Sequence, residues 1–489
     1  NDLDEIPANL PAEVELNTTG LDFSKYVSIG ASFTAGFTDN ALFIAAQENS
    51  FPNILAEKFG TSFNQPMMND NIGGLLFAGN VIQGPRLFFN GSGPAPLAAT
   101  PTTEVTAKVT GALHNFGIPG AKSFHLVAPG YGNPAGVPLG LANPYFARMS
   151  TSANATVLGD AMAQVPTFFT LSEVGGNDVL GYALSGGSGV NQTGNLNPAT
   201  YGGSDITDPN VFAQVFSNMV TTLTSGGAKG VVATVPYITN LAHFTTVPHN
   251  PVPLAAGTAA AVNGAYAPYN AGIQQAFGAL VQLGLMPQAV AAAEIAKRTI
   301  SFSAGVGNAV VIVDEDLTDL GAINPAFAAL PQYRQATAAD LLVLPSSAFI
   351  GTTVGGNPQL INGVTVPLAD RWVITPQEQT AIKTATDAYN TTIAAVAAAN
   401  PNVALVDFKA VLEEASAGIR FDKFNMTTSL VTGGLISLDG VHLTARGYAL
   451  MANKILAAMD AKFGSNFTTA TNGLAKAANY PTNYSPALR

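Results

Sequence analysis

Apolar residues along the chain fall into short runs separated by longer stretches with helical spacing. The first run, Tyr26 to Ile29, ends at a glycine, and similar, largely apolar runs occupy residues 168–174, 230–235, 309–313 and 403–406. Runs of about 4–8 apolar residues bounded by turn residues are typical of buried strands in parallel sheets. The pattern therefore predicts several buried strands separated by helices.

Helix start signals precede most of the stretches with helical spacing. Ser50, Asp208 and Thr444 each stand just before such a stretch, and Thr375 to Glu378 forms a capping box. These side chains accept hydrogen bonds from the free N–H groups of a first helical turn. Residues 288–298 add an alanine-rich helix.

Alternating strands and helices predict an α/β fold with a mostly parallel sheet covered by helices on both faces. We expect a single domain over residues 1–489 that carries two long insertions. Residues 61–104 predict an irregular insertion, and residues 236–372 predict either a lid or a substrate-binding subdomain. Both should emerge near the carboxyl ends of the strands, where open α/β sheets place their sites. The acidic segment Asn1–Thr19 predicts an extended arm.

The charge of the chain excludes one class of partner. The net charge is −11 and only 10% of the residues are charged, against about 25% in an average soluble protein. Without a basic stripe, we expect no nucleic-acid partner. The chain has no cysteine, which excludes disulfides and thiolate chemistry. No run approaches the roughly 18 apolar residues of a membrane span.

The low charge and the polar, uncharged surface favour an exported protein, either periplasmic, on the cell surface or extracellular. The chain begins at Asn1 rather than Met, so the signal segment of such a protein is not in this sequence. Anchoring through a removed, lipidated N-terminus stays open, as does the oligomeric state.

A serine follows the first apolar run, in the segment Ile29 to Thr34. A serine in a strand-to-helix turn directs its hydroxyl away from the sheet edge and places its own N–H where an oxyanion can form. Taken alone, Ser32 fits an ordinary helix N-cap better than a nucleophile. Its surroundings, Gly-Ala-Ser-Phe-Thr, differ from the Gly-x-Ser-x-Gly turn of α/β-hydrolases.

An acid and an imidazole lie three residues apart near the other end of the chain, in the segment Leu438 to His442. Asp439 can accept a hydrogen bond from Nδ1–H of His442 and leave Nε2 to face Ser32. The alternatives are an ordinary Asp-Gly turn and a structural histidine.

Two glycine-containing blocks lie between these ends. Gly117 to Gly120 can supply a backbone N–H, and Gly175 to Asp178 contains Asn177, whose amide can donate to a substrate carbonyl. Each block alone is a weak signal, because glycine and asparagine are common in turns.

In this order, the four blocks resemble the SGNH (GDSL-type) hydrolase family. The resemblance implies Ser32 as nucleophile, Asp439 and His442 as its acid–base pair, and an oxyanion hole formed by Ser32, Gly120 and Asn177. It also implies a three-layer α/β/α sandwich with a flavodoxin-like sheet, and no cofactor.

The first block departs from the family pattern at one position. The chain has Gly30-Ala31-Ser32-Phe33 where the family has Gly-Asp-Ser-Leu. The missing aspartate is not the acid of the triad, so the reacting groups are intact, whereas the positioning of the serine turn is left open.

The sequence favours a serine carboxylic ester hydrolase, an esterase or lipase, that acts through an acyl-enzyme on short- to medium-chain acyl esters or lipids. Phe33, together with Phe37, Leu42 and Phe43, is expected to line an acyl pocket beside Ser32. Two alternatives are a carbohydrate acetyl esterase with a shallow polar groove and a non-catalytic, secreted binding protein on a hydrolase scaffold. Retention of all five site positions argues against the second alternative.

A group of acidic residues follows the run at 309–313: Asp314, Glu315, Asp316 and Asp319. Their oxygens suit calcium, but they lack the spacing of a known calcium loop, so we expect a solvated strand end and no metal. His243 and His249 lie among prolines and predict exposed loop positions.

Overall fold

A computed structural model of the protein describes residues 11–489. Residues 1–10 of the arm predicted over Asn1–Thr19 therefore lie outside the described residues. Its described part, residues 11–18, has no regular secondary structure and is mostly exposed.

The centre of the molecule is a sheet of five strands, all parallel. They are β1 (Tyr26–Gly30), β2 (Asn115–Gly117), β3 (Phe168–Leu171), β4 (Lys229–Ala233) and β5 (Val403–Val406). Their spatial order is β2-β1-β3-β4-β5. This order places a topological switch point between β1 and β3, and ligands of open α/β sheets bind at such points. The predicted α/β fold with a parallel sheet is confirmed.

Helices flank the sheet, and two of the longer ones, Ala256–Gln282 and Gln288–Arg298, pack within the second insertion instead. In chain order, the helices are α1 (Ser32–Ala35), α2 (Phe51–Phe59), α3 (Asn177–Leu184), α4 (Pro209–Thr224), α5 (Ala256–Gln282), α6 (Gln288–Arg298), α7 (Pro376–Ala399), α8 (Phe408–Ala417) and α9 (Ala445–Phe463). Shorter helices are Ile44–Glu48, Pro144–Ala147, Val157–Met162, Ala242–Thr245, Leu320–Ile323 and Ser346–Phe349. Helix α4 packs against α7, and α2 packs against α9. Over residues 11–489, no helix has the length and hydropathy needed to cross a bilayer.

The predicted helix starts are confirmed. The side chains of Ser50, Asp208 and Thr444 accept hydrogen bonds from backbone N–H groups in the first turns of α2, α4 and α9. Thr375 and Glu378 form the reciprocal capping box at the start of α7. These local signals fix where the helices begin and, with them, the ends of the loops around the sheet.

The first insertion is more regular than expected. Residues 61–104 contain two short antiparallel hairpins: Leu75–Phe77 pairs with Asn80–Gln83, and Leu87–Phe89 pairs with Pro94–Pro96. Strands this short carry too few residues for an alternating pattern to be recognised. The insertion follows α2 rather than a strand, yet Leu87 N–H donates to the carbonyl of Asp39, in the segment that follows Ser32.

The second insertion leaves the carboxyl end of β4, as expected, and has a hydrophobic cluster of its own. This cluster combines α5 residues such as Val262 and Tyr266 with residues of short strands such as Ile312. The strand pairs are Val252–Leu254 with Gly305–Asn308, Val311–Val313 with Tyr333–Gln335, and Leu341–Leu342 with Val373–Ile374. A further hairpin outside the insertion joins Ile419–Phe421 to Phe424–Met426.

Candidate active site

A sharp turn joins β1 to α1 and carries Ser32. Gly30 is required at its start, because a Cβ there would overlap Thr34 Oγ1 and lie 2.7 Å from Glu173 Oε1. Ser32 is the first residue of α1, so the turn holds its hydroxyl at the carboxyl edge of the sheet.

The structure brings Ser32, His442 and Asp439 together. Nε2 of His442 lies 2.9 Å from Oγ of Ser32, and Nδ1 of His442 lies 2.8 Å from Oδ2 of Asp439. A carboxylate accepts a hydrogen bond from Nδ1–H and thereby leaves Nε2 free to accept the proton of a hydroxyl. The continuous chain of hydrogen bonds therefore has the geometry of a serine nucleophile with its base and orienting acid.

The Asp439 carboxylate is held by four hydrogen bonds. Oδ1 accepts from the N–H groups of Val441 and His442, both at 2.8 Å, and Oδ2 accepts from the N–H of Asn40 at 2.8 Å as well as from the imidazole. Burial by itself raises the pKa of Asp439, but the neighbouring His442 and these N–H donors outweigh burial and hold that pKa well below its usual range. The acid is therefore ionised at neutral pH.

Aromatic rings fix the orientation of the imidazole. The ring of Phe37 lies 4.6 Å from the His442 ring, centroid to centroid, and the ring of Phe33 meets it edge-on at 5.5 Å. Phe33 also packs edge-on against Tyr448 of α9. The imidazole is thus confined by packing as well as by its two hydrogen bonds.

The middle blocks of the sequence meet beside Ser32. Gly30 and Gly117 are register partners on β1 and β2, which places Gly120 just beyond the same sheet edge. The side-chain amide of Asn177 donates to the carbonyl of Ala121 at 2.8 Å, so the third block contacts the residue that directly follows the second block.

Several N–H groups at this edge have no acceptor. Within residues 11–489, the backbone N–H groups of Ser32 and Gly120 make no hydrogen bond, and one hydrogen of the Asn177 amide is unused. Free donors that converge near a nucleophile can stabilise an oxyanion. Ser32, His442 and Asp439 are joined by hydrogen bonds, and Gly120 and Asn177 follow β2 and β3, the two strands that flank β1.

Glu173 is a residue of the site that the sequence did not reveal. Its Oε1 accepts from the N–H groups of Ala31 and Thr34 at 2.6 and 2.8 Å, and its Oε2 accepts from Thr34 Oγ1 at 2.9 Å. These donors flank Ser32 on both sides. The Glu173 carboxylate thus holds the serine turn from a position just after β3. The motif around Ser32 itself has alanine where the family pattern has an aspartate.

The environment of Glu173 is unusual in two respects. Its backbone has a left-handed φ of 47°, a conformation that costs a non-glycine residue about 1–3 kcal/mol and recurs at functional sites. Burial raises the pKa of Glu173 to about 7, against the hydrogen bonds from Thr34 and Ala31 that lower it. Glycine or asparagine is the residue expected at such a φ, but the sequence does not show this φ, so it offered no signal for Glu173.

An apolar cavity of about 100 Å³ opens beside Ser32. Phe33, Asn177 and Glu173 line it near the serine. Its other walls come from the segment after β4, from α8 and from α9, and include Val235, Ile238, Phe408, Leu412, Leu450 and Met451.

The predicted lining of this cavity is confirmed only for Phe33. Phe37 and Leu42 pack with Tyr145 in a separate cluster, and Phe43 lies in another. The error arose because α1 ends after Ala35, so the residues beyond it do not continue the direction of Phe33.

Two further expectations are corrected. His243 is not exposed, because only 8% of it is accessible. It lies in a short helix, and its backbone N–H donates to the carbonyl of Gly440, the residue after Asp439. Asp314 is not a solvated strand end either, because its buried carboxylate bonds Arg334 Nε at 2.6 Å. In both cases the tertiary contact comes from a segment distant in sequence.

Comparison with models of known protein families, with curated proteins and with solved structures finds no match to this chain.

Proposed function

We propose that the chain is a serine carboxylic ester hydrolase of the SGNH type. The observation that carries this proposal is the unbroken series of hydrogen bonds from Asp439 through His442 to Ser32. The arrangement of free N–H donors around Ser32 supports the same reaction class, because acyl transfer needs both a base-activated nucleophile and an oxyanion site.

In the proposed reaction, Ser32 Oγ attacks the ester carbonyl while His442 Nε2 takes the hydroxyl proton. The N–H groups of Ser32 and Gly120 and the amide of Asn177 bind the negatively charged oxygen. His442 then gives its proton to the leaving alcohol, and Asp439 stabilises the imidazolium in between. Water hydrolyses the acyl-enzyme by the same steps, so the side chains supply all proton transfers without a cofactor.

We infer that the fold is the three-layer α/β/α sandwich of this family. The strand order supports this inference, because it is the flavodoxin-like doubly wound order. The two helix pairs, α4 with α7 and α2 with α9, would form the outer layers.

The apolar cavity favours an acyl ester or lipid substrate over an acetylated polysaccharide. An acyl chain attached to Ser32 would enter a space lined by Phe33, Leu412 and Met451, and such burial is favourable for every methylene. A polysaccharide acetyl group would leave most of this space unused.

The experiment is hydrolysis of p-nitrophenyl esters by the wild-type chain and by Ser32→Ala. We expect turnover of the acetate and butyrate by the wild type and none above background by the variant. Ser24→Ala, which removes an exposed hydroxyl, is the matched control and should keep full activity. Equal activity in all three proteins would refute the assignment of Ser32.

A further inference from the structure

A second group of carboxylates lies outside the proposed catalytic site. Glu315, Asp370 and Glu378 each offer one carboxylate oxygen, and these oxygens all lie within 4.8 Å of one another. Glu315 and Asp370 belong to the second insertion, whereas Glu378 lies in the first turn of α7. The group therefore spans the junction between the insertion and a helix of the central fold.

Glu378 is the buried member of this group. Its side chain is 5% exposed. Oε2 accepts from the N–H of Thr375 at 2.7 Å, which completes the capping box. Oε1 is buried and has no hydrogen-bond partner among residues 11–489. A buried carboxylate oxygen without a donor is costly, so this atom calls for a positive partner that the protein chain does not supply.

The backbone around Glu378 holds its carboxylate in place. A Cβ at Gly187 would overlap the carboxyl carbon of Glu378, and a Cβ at Gly186 would overlap the carbonyl of Asp370. The loop after α3 thus packs its bare backbone directly against the carboxylate of Glu378 and against the backbone of Asp370.

The charges around the group are predominantly negative. Glu315, Asp370 and the phenol of Tyr182 lie near Glu378, and Asp316 lies near Glu315 and Asp370. Over residues 11–489, no Lys, Arg or His side chain forms an ion pair with the three carboxylates. Arg334, the cation whose charge reaches Asp316, is occupied by Asp314 and Asp340.

We propose that Glu315, Asp370 and Glu378 bind one Ca²⁺ ion. Calcium prefers carboxylate oxygens at about 2.3–2.6 Å, so two ligands of one ion are at most about 5 Å apart, which the three oxygens satisfy. The ion would tie the second insertion to the start of α7. It takes no part in the ester hydrolysis, and the proposal is independent of that function.

The test is calorimetric titration of the metal-stripped full chain with CaCl₂. We expect one Ca²⁺ per chain in the wild type, and an affinity at least about tenfold weaker in Glu378→Gln, since even loss of a second-shell group costs about 10–100-fold. Glutamine preserves the capping box, so this variant should still fold. Asp370→Asn provides a second ligand variant, and Glu414→Gln on the exposed face of α8 is the control of equal charge change.

Two further readouts separate binding from general charge effects. At one Ca²⁺ concentration, the rise in unfolding temperature should be equal in the wild type and in Glu414→Gln and clearly smaller in Glu378→Gln, because the stabilisation depends on the affinity of the folded state for the ion. Tb³⁺ should bind in place of Ca²⁺ and luminesce on excitation of Trp372, the single tryptophan, which lies two residues from Asp370.

Two results would overturn the proposal. One is no binding heat and no thermal shift in the wild type at about 10 mM Ca²⁺, tenfold above the weakest usual protein sites at about 1 mM. The other is equal affinity in Glu378→Gln, Asp370→Asn and Glu414→Gln. Either would mean that the carboxylates share protons rather than a metal ion.

Discussion

Replacement of Glu173 by glutamine tests how the serine turn is held. Oε1 of a glutamine can accept from the N–H groups of Ala31 and Thr34 as the carboxylate does, while the amide group faces Thr34 Oγ1, which can accept from it. The substitution therefore keeps the hydrogen bonds that hold the turn and removes only the ionisable carboxyl group.

The magnitude follows from the pKa of Glu173. Burial raises it from 4.5 to about 7, a difference that corresponds to about 3 kcal/mol. Because the folded state binds the proton more tightly, the contribution to stability is fully present below pH 4.5 and is lost as the pH rises through 7. A glutamine side chain does not ionise in this pH range, so the variant should not lose this part of its stability as the pH rises.

The assay is the unfolding temperature of both proteins at pH 4.5 and pH 8. Unfolding entropies of about 2.1 cal/mol/K per residue give about 1 kcal/mol/K for 489 residues, so 3 kcal/mol corresponds to about 3 °C. Relative to the wild type, Glu173→Gln should gain about 3 °C between the two pH values. Asp39, whose pKa burial also raises to about 7, is present in both proteins and cancels.

Kinetics of Glu173→Gln and Glu173→Ala test whether Glu173 positions Ser32. Glu173→Gln should keep kcat within about tenfold, whereas Glu173→Ala leaves two N–H groups without acceptors and should lose about 10²-fold in kcat, the expected cost of a 1 Å misplacement. A stability difference that does not change with pH, or an alanine variant as active as the glutamine variant, would refute this role of Glu173.

Three other substitutions test separate parts of the site. Asp439→Asn should lower kcat by about 10⁴, because the amide no longer fixes the tautomer of His442; a loss below tenfold, measured with p-nitrophenyl butyrate, would contradict its assignment. Asn177→Ala should lower kcat by about 10²–10³ with little change in KM, as expected for an oxyanion donor, and an effect on KM alone would contradict that role. Leu412→Trp should shorten the longest p-nitrophenyl ester accepted without reducing kcat for the acetate, and an unchanged chain-length profile would show that the acyl group lies elsewhere.

Local signals in the sequence predicted the framework well. The N-caps at Ser50, Asp208 and Thr444 were correct because capping depends on neighbouring residues only. The approach of Ser32 to His442 was implied by the resemblance to the SGNH hydrolases, because the segment with Asp439 and His442 lies well beyond the last strand of the sheet.

Features that depend on tertiary contacts were missed. Helix α5 was not recognised because it contains Pro268 and four glycines, and packing within the insertion overrides their low helix propensity. Glu173 contacts residues about 140 positions away, and no spacing rule predicts that. Glu378 had a sufficient local role in the capping box, so nothing in the sequence indicated its carboxylate neighbours.

The most direct test of the central claim is reaction of the folded chain with a fluorophosphonate probe, followed by mass spectrometry of its peptides. Only a hydroxyl activated by a neighbouring base should react. We expect stoichiometric modification at position 32 and a large loss of labelling in His442→Ala. Absence of labelling, or labelling at a serine other than Ser32, would contradict the proposed mechanism.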